Sequence, residues 1–344
     1  MINEKFIYIS EQIDKFITID VGFRKVIDLL YKSARKITNI PLTLKAADII
    51  LTRVDKNSIV FIATGWPDRP HITPNIAESD GPPGAALLAL SLHKLLNIIP
   101  FIFIEKQLID SMKYILESTG LKVLDIQQAI LSNQSPAPIH SSAILEIPTS
   151  IDEAKEYSKM IFKKYKPSCL ITIEKGGMNE FNKIHTSRGH DTTEYMGKAD
   201  FLLDEANSNH IPSICIGDGG NELGMGLIKD EIEELIPFGK KCNCGCGGGI
   251  VPIRKCDALI TSSISNWGAY GLIATLAAIQ KNPDILHSPE EEERVLIRCS
   301  DAGFIDGING YVKPGADGLH YSMHTSFIRL LKDMIYRWIQ LDLK

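Results

Sequence analysis

Five carboxylates of this chain stand in turns rich in glycine, where side chain and backbone can both approach a ligand. They are Glu78, Asp80, Glu174, Asp218 and Glu222. Hard cations such as Mg²⁺, Mn²⁺ or Ca²⁺ prefer oxygen ligands, so converging carboxylates are typical of a site for such an ion. Without a cation, repulsion between like charges would raise their pKa values, which suits a general acid or base. One such residue alone is more often a cap or turn residue, but several at successive strand ends favour a site.

The turn over residues 217–226 holds Asp218, Asn221 and Glu222 directly after a short apolar run. Its pattern differs from that of nucleotide loops, because Glu222 stands where a dinucleotide fingerprint needs glycine, and no Lys-Ser/Thr pair follows Gly224. Two carboxylates would also repel a phosphate. We therefore expect no nucleotide cofactor and interpret the turn as a site for a metal ion or an amine.

A second dense polar run covers residues 174–191. Lys175, beside Glu174, could bind a substrate carboxylate or neutralise the acidic cluster. His185 is the best single candidate for proton transfer at neutral pH, and the alternative is a loop histidine with satisfied hydrogen bonds.

The segment Ser265-Asn266-Trp267-Gly268 stands at a predicted strand-to-helix transition. Asn266 could donate to a ligand oxygen, and Trp267 could form one wall of a small pocket. The alternative is a helix N-cap with a buried aromatic residue beside it, and both interpretations can hold together. No Gly-x-Ser-x-Gly elbow surrounds these serines, so a serine nucleophile has little support.

Of the seven cysteines, Cys242, Cys244 and Cys246 alternate along one glycine-rich loop. Paired cysteines of zinc sites are usually spaced more widely, and no second suitable pair follows. We expect a flexible, reduced loop, with metal or redox use as the alternative. An odd number of cysteines argues against a disulfide framework.

These residues need elements to position them, and the pattern of strand, polar turn and helix recurs along the chain. The predicted strands span residues 58–63, 100–104, 168–173, 214–216, 258–261 and 294–299. The residues predicted at their carboxyl ends are Thr64, Glu174, Asp218, Ser265 and Asp301. Such alternation predicts an α/β fold with a largely parallel sheet flanked by helices, and ligands bind beyond the carboxyl ends of the strands in such sheets.

We expect one domain, with a helical N-terminal segment over about residues 1–55 and an α/β body over about residues 56–344. In the N-terminal segment, Phe23, Val26, Ile27 and Leu30 fall at the spacing of a buried helical stripe. An amphipathic helix over about residues 320–341 is predicted to close the chain.

Composition limits the function classes. The 344 residues are 44% hydrophobic and 23% charged, with a net charge of −5 and no run rich in Lys or Arg, so nucleic acid is not expected as a partner. No apolar run approaches the roughly 20 residues that a membrane helix needs, and the N-terminus lacks a signal pattern. We expect a cytoplasmic protein that acts on a small molecule, with a homo-oligomer as an open alternative.

Several motifs in order resemble the D-glutamate cyclase family. They are Thr64-Gly65-Trp66-Pro67, residues 78–85, Glu174, Lys175, Gly177, Asn179, His185, Gly189, Asp191, residues 217–226, residues 265–270, residues 306–310 and Asp317-Gly318. The resemblance runs from about residue 12 to the last helix. The chain departs from the family pattern at Asn182 and Ile184, which lie in the 174–191 loop, and in the cysteine loop over residues 242–246. These departures concern the detail of the 174–191 loop and not the resemblance as a whole.

The resemblance implies a lyase that converts D-glutamate to 5-oxo-D-proline and water. On this hypothesis, a metal on Asp80, Asp218 and Glu222 polarises the γ-carboxylate. Lys175 holds or neutralises an oxygen, and His185 or Glu174 moves protons. Asp218 and Glu222 also count as catalytic residues, because they hold the metal that polarises the carboxylate. The residues expected to bind the substrate are Thr64, Gly65, Asn179, Asn221, Asn266 and Trp267.

Two other functions stay open for the same carboxylates. One is a metal-dependent hydrolase, for instance a phosphatase, that activates water. The other is a non-catalytic module that binds an amino acid, although the number of titratable groups exceeds what recognition alone needs.

Overall fold

The computed structural model of the chain describes residues 3–342. Seven strands of the described chain form one sheet, and every pairing in it is parallel. The strands are β1 (Ile59–Thr64), β2 (Ile99–Ile104), β3 (Lys122–Val123), β4 (Ser141–Glu146), β5 (Cys169–Ile173), β6 (Ser213–Gly217) and β7 (Ala258–Thr261). Their order across the sheet is β3-β4-β2-β1-β5-β6-β7.

The direction of winding reverses between β1 and β5. Strands β2 to β4 lie on one side of β1, and β6 and β7 lie beyond β5 on the other. At such a switch point the connections leave in opposite directions and open a crevice beyond the carboxyl ends of the strands. The neighbours at this point are Thr64 and Ile173, which are paired in register.

Helices cover both faces of the sheet, which explains why the central strands are almost wholly apolar rather than alternating. The helices are α1 (Glu4–Ile17), α2 (Ile27–Thr38), α3 (Leu42–Arg53), α4 (Pro82–Leu96), α5 (Ile109–Thr119), α6 (Ile126–Asn133), α7 (Ile151–Tyr165), α8 (Asp200–Ser208), α9 (Lys229–Leu235), α10 (Ser265–Gln280), α11 (Pro289–Asp301) and α12 (Tyr321–Asp342). The predicted α/β fold with a parallel sheet is confirmed.

Helix α10 is the most buried helix of the fold. It packs against α4, and α1, α3 and α12 contact it from other sides. All of its residues from Ser265 to Ala278 are buried, and its glycines and alanines let neighbouring helices approach closely. Gly271 faces Ile17 of α1, where an added Cβ would lie 2.8 Å from that side chain. The N-terminal segment is therefore anchored on the same helix as the rest of the fold.

The prediction of a strand over residues 294–299 is wrong, because these residues belong to α11. Ser288 and Glu291 form a capping box at the start of this helix, with Pro289 in its first turn. This start signal outweighs the strand-like apolar run Val295-Leu296-Ile297 that follows. Asp301 therefore ends a helix, away from the strand ends.

Two other expectations about elements differ from the structure. Phe23 does not join a buried helical stripe, because α2 begins at Ile27 and the Phe23 side chain is 83% exposed. Strand β4 was not predicted, and a short antiparallel pair, β8 (Gly315–Ala316) and β9 (Leu319–His320), lies before α12. Within residues 3–342, every helix is too short or too polar to cross a membrane.

Candidate functional site

A cleft of about 760 Å³ lies beyond the carboxyl ends of β1, β5 and β6, at the switch point of the sheet. Its walls come from segments far apart in sequence. The charged residues that line it are Arg24, Asp68, Arg69, His71, Glu78, Glu174, Arg188, His190, Asp191, Asp218 and Asp317. Positive and negative groups thus share one space, as the recognition of a small zwitterionic molecule requires.

Arg24 and Asp218 form the central ion pair of this cleft. The Arg24 Nη1 and Nη2 atoms donate to the two Asp218 carboxylate oxygens at 2.6 and 3.2 Å. Nη1 also donates to Asp317 Oδ2 at 3.1 Å. Asp218 raises the pKa of Arg24, and burial opposes this only in part. The guanidinium is therefore a fixed positive charge held between two carboxylates.

A bend before α2 presents Arg24 to the cleft. Phe23 and Lys25 on either side have left-handed φ values of 53° and 65°, which residues other than glycine seldom adopt. Asp20 holds the bend, because its carboxylate accepts the Arg24 N–H at 2.9 Å and the Lys25 N–H at 2.7 Å. Strain of this kind is maintained only where surrounding contacts fix it, and it is common at functional sites. Arg24 lies in no sequence motif and was not predicted as a site residue.

Glu174 follows β5 directly and also has a left-handed φ, of 46°. Its Oε2 accepts a hydrogen bond from the Ser265 hydroxyl at 2.6 Å. Burial, and then the nearby Asp218, raise the pKa of Glu174 well above its ordinary value. The turn opposite needs glycine, because a Cβ on Gly81 would lie 2.8 Å from the Cβ of Glu174 and Gly81 has a φ of +99°. Glu174 therefore stands in the cleft as a buried carboxyl whose environment favours the protonated form.

Glu78 and Asp317 add two further carboxyls of this kind. Burial, and then Asp68, raise the pKa of Glu78 well above its ordinary value. Burial, and then Asp218, do the same for the pKa of Asp317. The cleft consequently carries less negative charge at neutral pH than its composition indicates.

Glu222 organises the 217–222 turn. Its Oε1 accepts the N–H groups of Asp218 and Gly219 at 2.9 and 2.6 Å, and its Oε2 accepts the N–H of Gly220 at 2.8 Å. Burial, and then Asp218, raise the pKa of Glu222 to about 7. The carboxylate thus points into its own turn and positions Asp218, although it was predicted as a catalytic residue and metal ligand.

Asp80 has a comparable role at the start of α10. Its Oδ2 accepts the Ser265 N–H at 2.8 Å, and its Oδ1 accepts the N–H groups of Asn266 and Gly81 at 2.8 and 3.0 Å. Burial, and then Asp218, raise the pKa of Asp80 to about 7. A carboxylate at a helix N-terminus is favoured by the unpaired N–H groups there.

The donor set is compatible with a hard divalent cation. Carboxylate oxygens of Asp80, Asp218 and Asp317 lie within 4.8 Å of one another, and so do oxygens of Glu174, Asp218 and Glu222. Such an all-oxygen set is what Mg²⁺, Mn²⁺ or Ca²⁺ selects. Since Asp218 already binds Arg24, an ion at either position shares this carboxylate with the guanidinium.

Lys175 lies beneath the cleft rather than in it. Its fully buried ammonium pairs with Glu105 and donates to the Gly65 carbonyl at 2.9 Å. Burial lowers the pKa of Lys175, and Glu105 opposes this. Lys175 and Gly65 therefore support the strand ends, whereas a catalytic role was expected for Lys175 and a substrate-binding role for Gly65.

Trp267 and Asn266 also have structural partners. The Trp267 ring stacks on Phe327 with centroids 4.0 Å apart, and its Nε1 donates to His324 at 3.0 Å. The Asn266 Oδ1 accepts the N–H groups of Gly81 and Gly84 at 3.0 and 2.7 Å. These contacts correspond to the cap and buried aromatic residue that were the alternative interpretation.

The remaining predicted binding residues divide between the cleft and its support. Asn221 lines the cleft, and its Nδ2 donates to the His185 carbonyl at 2.9 Å. Within the described chain its Oδ1 has no hydrogen-bond partner, so this oxygen is available to a ligand. Thr64 is fully buried at the end of β1. Asn179 closes its own loop, because its Oδ1 accepts the N–H groups of Phe181 and Lys183 at 2.9 and 3.0 Å, and its Nδ2 ties this loop to the Gly249 carbonyl at 2.8 Å.

His185 is not brought to the carboxylates. Its Nε2 instead lies 3.2 Å from the Cys244 Sγ and 3.8 Å from the Cys246 Sγ. Burial lowers the pKa of His185. The proton-transfer role expected for this residue has no cleft contact to support it.

Comparison with known proteins gives two matches. Residues 13–332 match the family described as D-glutamate cyclase-like, C-terminal. The chain is also 25% identical over 354 aligned positions to a human protein named "D-glutamate cyclase, mitochondrial". That alignment covers 94% of this chain and 51% of the human protein, so the chain spans about half the length of this relative. Because the relative is named as mitochondrial, the cytoplasmic location expected from the sequence stays a prediction.

Proposed function

The chain belongs to the D-glutamate cyclase-like family, and we propose that it converts D-glutamate to 5-oxo-D-proline and water. The observation that carries the proposal is the combination, in one cleft, of the fixed cation Arg24 with buried carboxyls whose pKa values are raised well above their ordinary values. An amino dicarboxylate requires positive charge for its carboxylates and negative charge for its ammonium group, and ring closure requires proton donors.

The reaction is balanced in protons. A bond forms between the α-nitrogen and the γ-carboxyl carbon, and the bond from that carbon to one oxygen breaks. The ammonium group loses two protons, and the departing oxygen gains two to leave as water. The site therefore has to move two protons from nitrogen to oxygen, with no net gain or loss of protons by the protein. Carboxyls with raised pKa values can do this.

The positions of the residues favour distinct roles for them. Asp218 faces the cleft as the partner of Arg24 and receives the substrate ammonium group. Glu174 donates a proton to the departing oxygen, with Ser265 fixing its carboxyl. Arg24 and Arg69 bind the substrate carboxylates, and Arg24 also stabilises the charge that develops on the attacked carboxyl.

A hard divalent cation held by Asp80, Asp218 and Asp317, or by Glu174, Asp218 and Glu222, would polarise the γ-carboxyl and strengthen this stabilisation. Whether or not an ion is bound, Glu222 fixes the backbone of Asp218 and Asp80 fixes the start of α10. Arg24 supplies positive charge at the same carboxylate.

The test is incubation of the purified chain with D- or L-glutamate, with and without a chelator, followed by chiral chromatography for 5-oxoproline. We expect product from D-glutamate and a loss of turnover of about 100-fold or more in Asp218→Asn, because this change removes the charge that receives the amine. The control is Asp301→Asn, since Asp301 is exposed at the end of α11 and should leave turnover unchanged.

Three results would overturn the proposal. One is D-glutamate binding without product over hours, which indicates a binding module. Another is cleavage of phosphate esters without any 5-oxoproline, which indicates a hydrolase. The third is full turnover in Asp218→Asn. Loss of turnover with the chelator and its return with Mg²⁺ or Mn²⁺ would assign a metal to the reaction.

A further inference from the structure

Three thiols and one imidazole converge outside the cleft. The Cys242 Sγ lies 3.2 Å from the Cys244 Sγ and 3.5 Å from the Cys246 Sγ. The His185 Nε2 approaches Cys244 and Cys246 at 3.2 and 3.8 Å. All four of these ligand atoms lie within 4.8 Å of one another. The cysteines share one loop, but His185 comes from the 174–191 run.

The spacing is that of a tetrahedral metal shell. With Zn–S bonds of about 2.3 Å and Zn–N bonds of about 2.0 Å, the edges of a tetrahedron are about 3.8 Å between sulfurs and about 3.5 Å between sulfur and nitrogen. The observed separations are within about half an ångström of these edges. A disulfide would use only two of the three thiols and would leave the imidazole without a role.

We propose that His185, Cys242, Cys244 and Cys246 bind one zinc ion in a closed structural site. Thiolate and imidazole ligands in a tetrahedral arrangement select zinc, whereas the all-oxygen cluster of the cleft selects a hard cation. The two groups of residues are thus chemically distinct sites.

The loop is folded to support this shell. The Cys242 N–H donates to the Gly248 carbonyl at 2.9 Å, which closes residues 242–248 into a turn. Gly245 and Gly247 within it have φ values of 82° and 98°, which glycine adopts without strain. Cys244 is exposed while Cys242 and His185 are buried, so an ion can enter from solvent into a site with a closed floor.

The charge around the cluster is also appropriate. Zinc with three thiolates and a neutral imidazole has a net charge of −1. Lys183 interacts electrostatically with Cys244 and Cys246. A positive side chain at this position offsets the charge of the loaded site.

The zinc site would fix one wall of the cleft. The Asn243 N–H donates to the Gly189 carbonyl at 2.9 Å, and the Asn243 Nδ2 donates to the Arg188 carbonyl at 2.8 Å. The segment that follows His185 lines the cleft through residues 186–188 and 190–192. The metal would therefore hold two loops together and position this wall, without touching the reacting atoms.

The test is the metal content of the purified full chain, measured by mass spectrometry after growth with zinc and gel filtration. We expect about one zinc per chain, and less than about a tenth of this in Cys244→Ser and His185→Gln. Cys299→Ser is the matched control, since Cys299 is buried in α11, and Asp218→Asn tests independence from the cleft; both should retain the zinc. Circular dichroism of Cys244→Ser, whose side chain is exposed, checks that it folds.

Cobalt provides a second readout. The wild-type chain loaded with Co²⁺ should show the absorption of tetrahedral cobalt with thiolate charge-transfer bands, and Cys244→Ser should weaken these bands. Wild-type protein without zinc, undiminished zinc in Cys244→Ser, or an octahedral cobalt spectrum would each overturn the proposal. These readouts do not involve turnover, so their failure is distinguishable from failure of the proposed cyclase activity.

Discussion

Glu174 combines three constraints at one residue. It has a left-handed backbone, a buried carboxyl and a single short hydrogen bond from Ser265. A buried carboxylate without a full set of donors is unfavourable, so the neutral acid is the form that this environment stabilises. The residue is thus prepared as a proton donor at a pH where an exposed glutamate is ionised.

Glu174→Gln should separate this catalytic role from a structural one. Glutamine resembles the neutral acid in shape but cannot donate a proton to the departing oxygen. We expect turnover to fall by about 100-fold or more, while the free energy of unfolding at pH 7 is retained or raised, because glutamine is buried without taking up a proton. Steady-state kinetics and urea denaturation measure the two effects.

Glu180→Gln is the matched control, because Glu180 is exposed and lies beyond the cleft lining. It should leave both quantities unchanged. If Glu174→Gln retained more than half of wild-type turnover, the assignment of Glu174 as the acid would be wrong.

At the scale of elements, the starts of α4 and α10 cap each other. Asn266 in α10 accepts N–H groups from the first turn of α4, and Asp80 before α4 accepts N–H groups from the first turn of α10. Both helices therefore begin at the cleft with their N–H groups satisfied by the partner. The exchange ties the β1 loop to the β7 loop.

Asn266→Ala should destabilise the protein by about 1–3 kcal/mol, because it leaves the buried Gly84 N–H without an acceptor and leaves the Gly81 N–H with Asp80 alone. Chemical denaturation measures this loss. The comparable surface cap Asn282, which accepts the exposed Asp284 N–H, should cost less than about 1 kcal/mol when changed to alanine. Unchanged stability together with a raised KM for D-glutamate would show instead that Asn266 binds substrate.

Elements with regular patterns were predicted well, and long-range placements were not. The strands at the switch point, the family resemblance and the carboxylate cluster around Asp218 all follow from local patterns and motifs. The strand prediction for residues 294–299 was wrong because it rested on their apolar run alone and left out the capping box at Ser288. Arg24 carries no motif, and only the fold brings it to Asp218, 194 positions away.

His185 shows a second limit of sequence reasoning. Its family position suggested the acidic cleft, and the spacing of the cysteines did not suggest a metal site. The fourth ligand of that site is supplied by a different loop, which no local spacing rule describes. Only the three-dimensional fold brings the two loops, and so the four side chains, together.

For the whole molecule, the buried acids make stability depend on pH. The pKa values of Asp80 and Glu222 are raised to about 7, and those of Glu78, Glu174 and Asp317 are raised well above their ordinary values. The folded state therefore binds protons more strongly than the unfolded state. The resulting stabilisation is complete below the unfolded pKa values near 4 and is lost as pH rises through the folded ones.

We expect the unfolding midpoint temperature to fall as pH rises from about 6.5 to 9, a window above the ordinary pKa of histidine. Glu174→Gln should show a shallower fall, because it removes one of the raised groups. Differential scanning fluorimetry across this range measures both slopes. A midpoint that rises with pH in the wild type, or equal slopes in the two proteins, would contradict the buried-acid account.

The ion pairs of Arg24 also determine when the cleft can form during protein synthesis. Its two partners lie 194 and 293 positions later in the chain, and the second of them, Asp317, stands just before the last helix. A growing chain carries the cation early but cannot enclose it until residue 317 has been synthesised. Catalytic competence should therefore appear only after that point, and fragments that stop before residue 317 should lack it even where their sheet has formed.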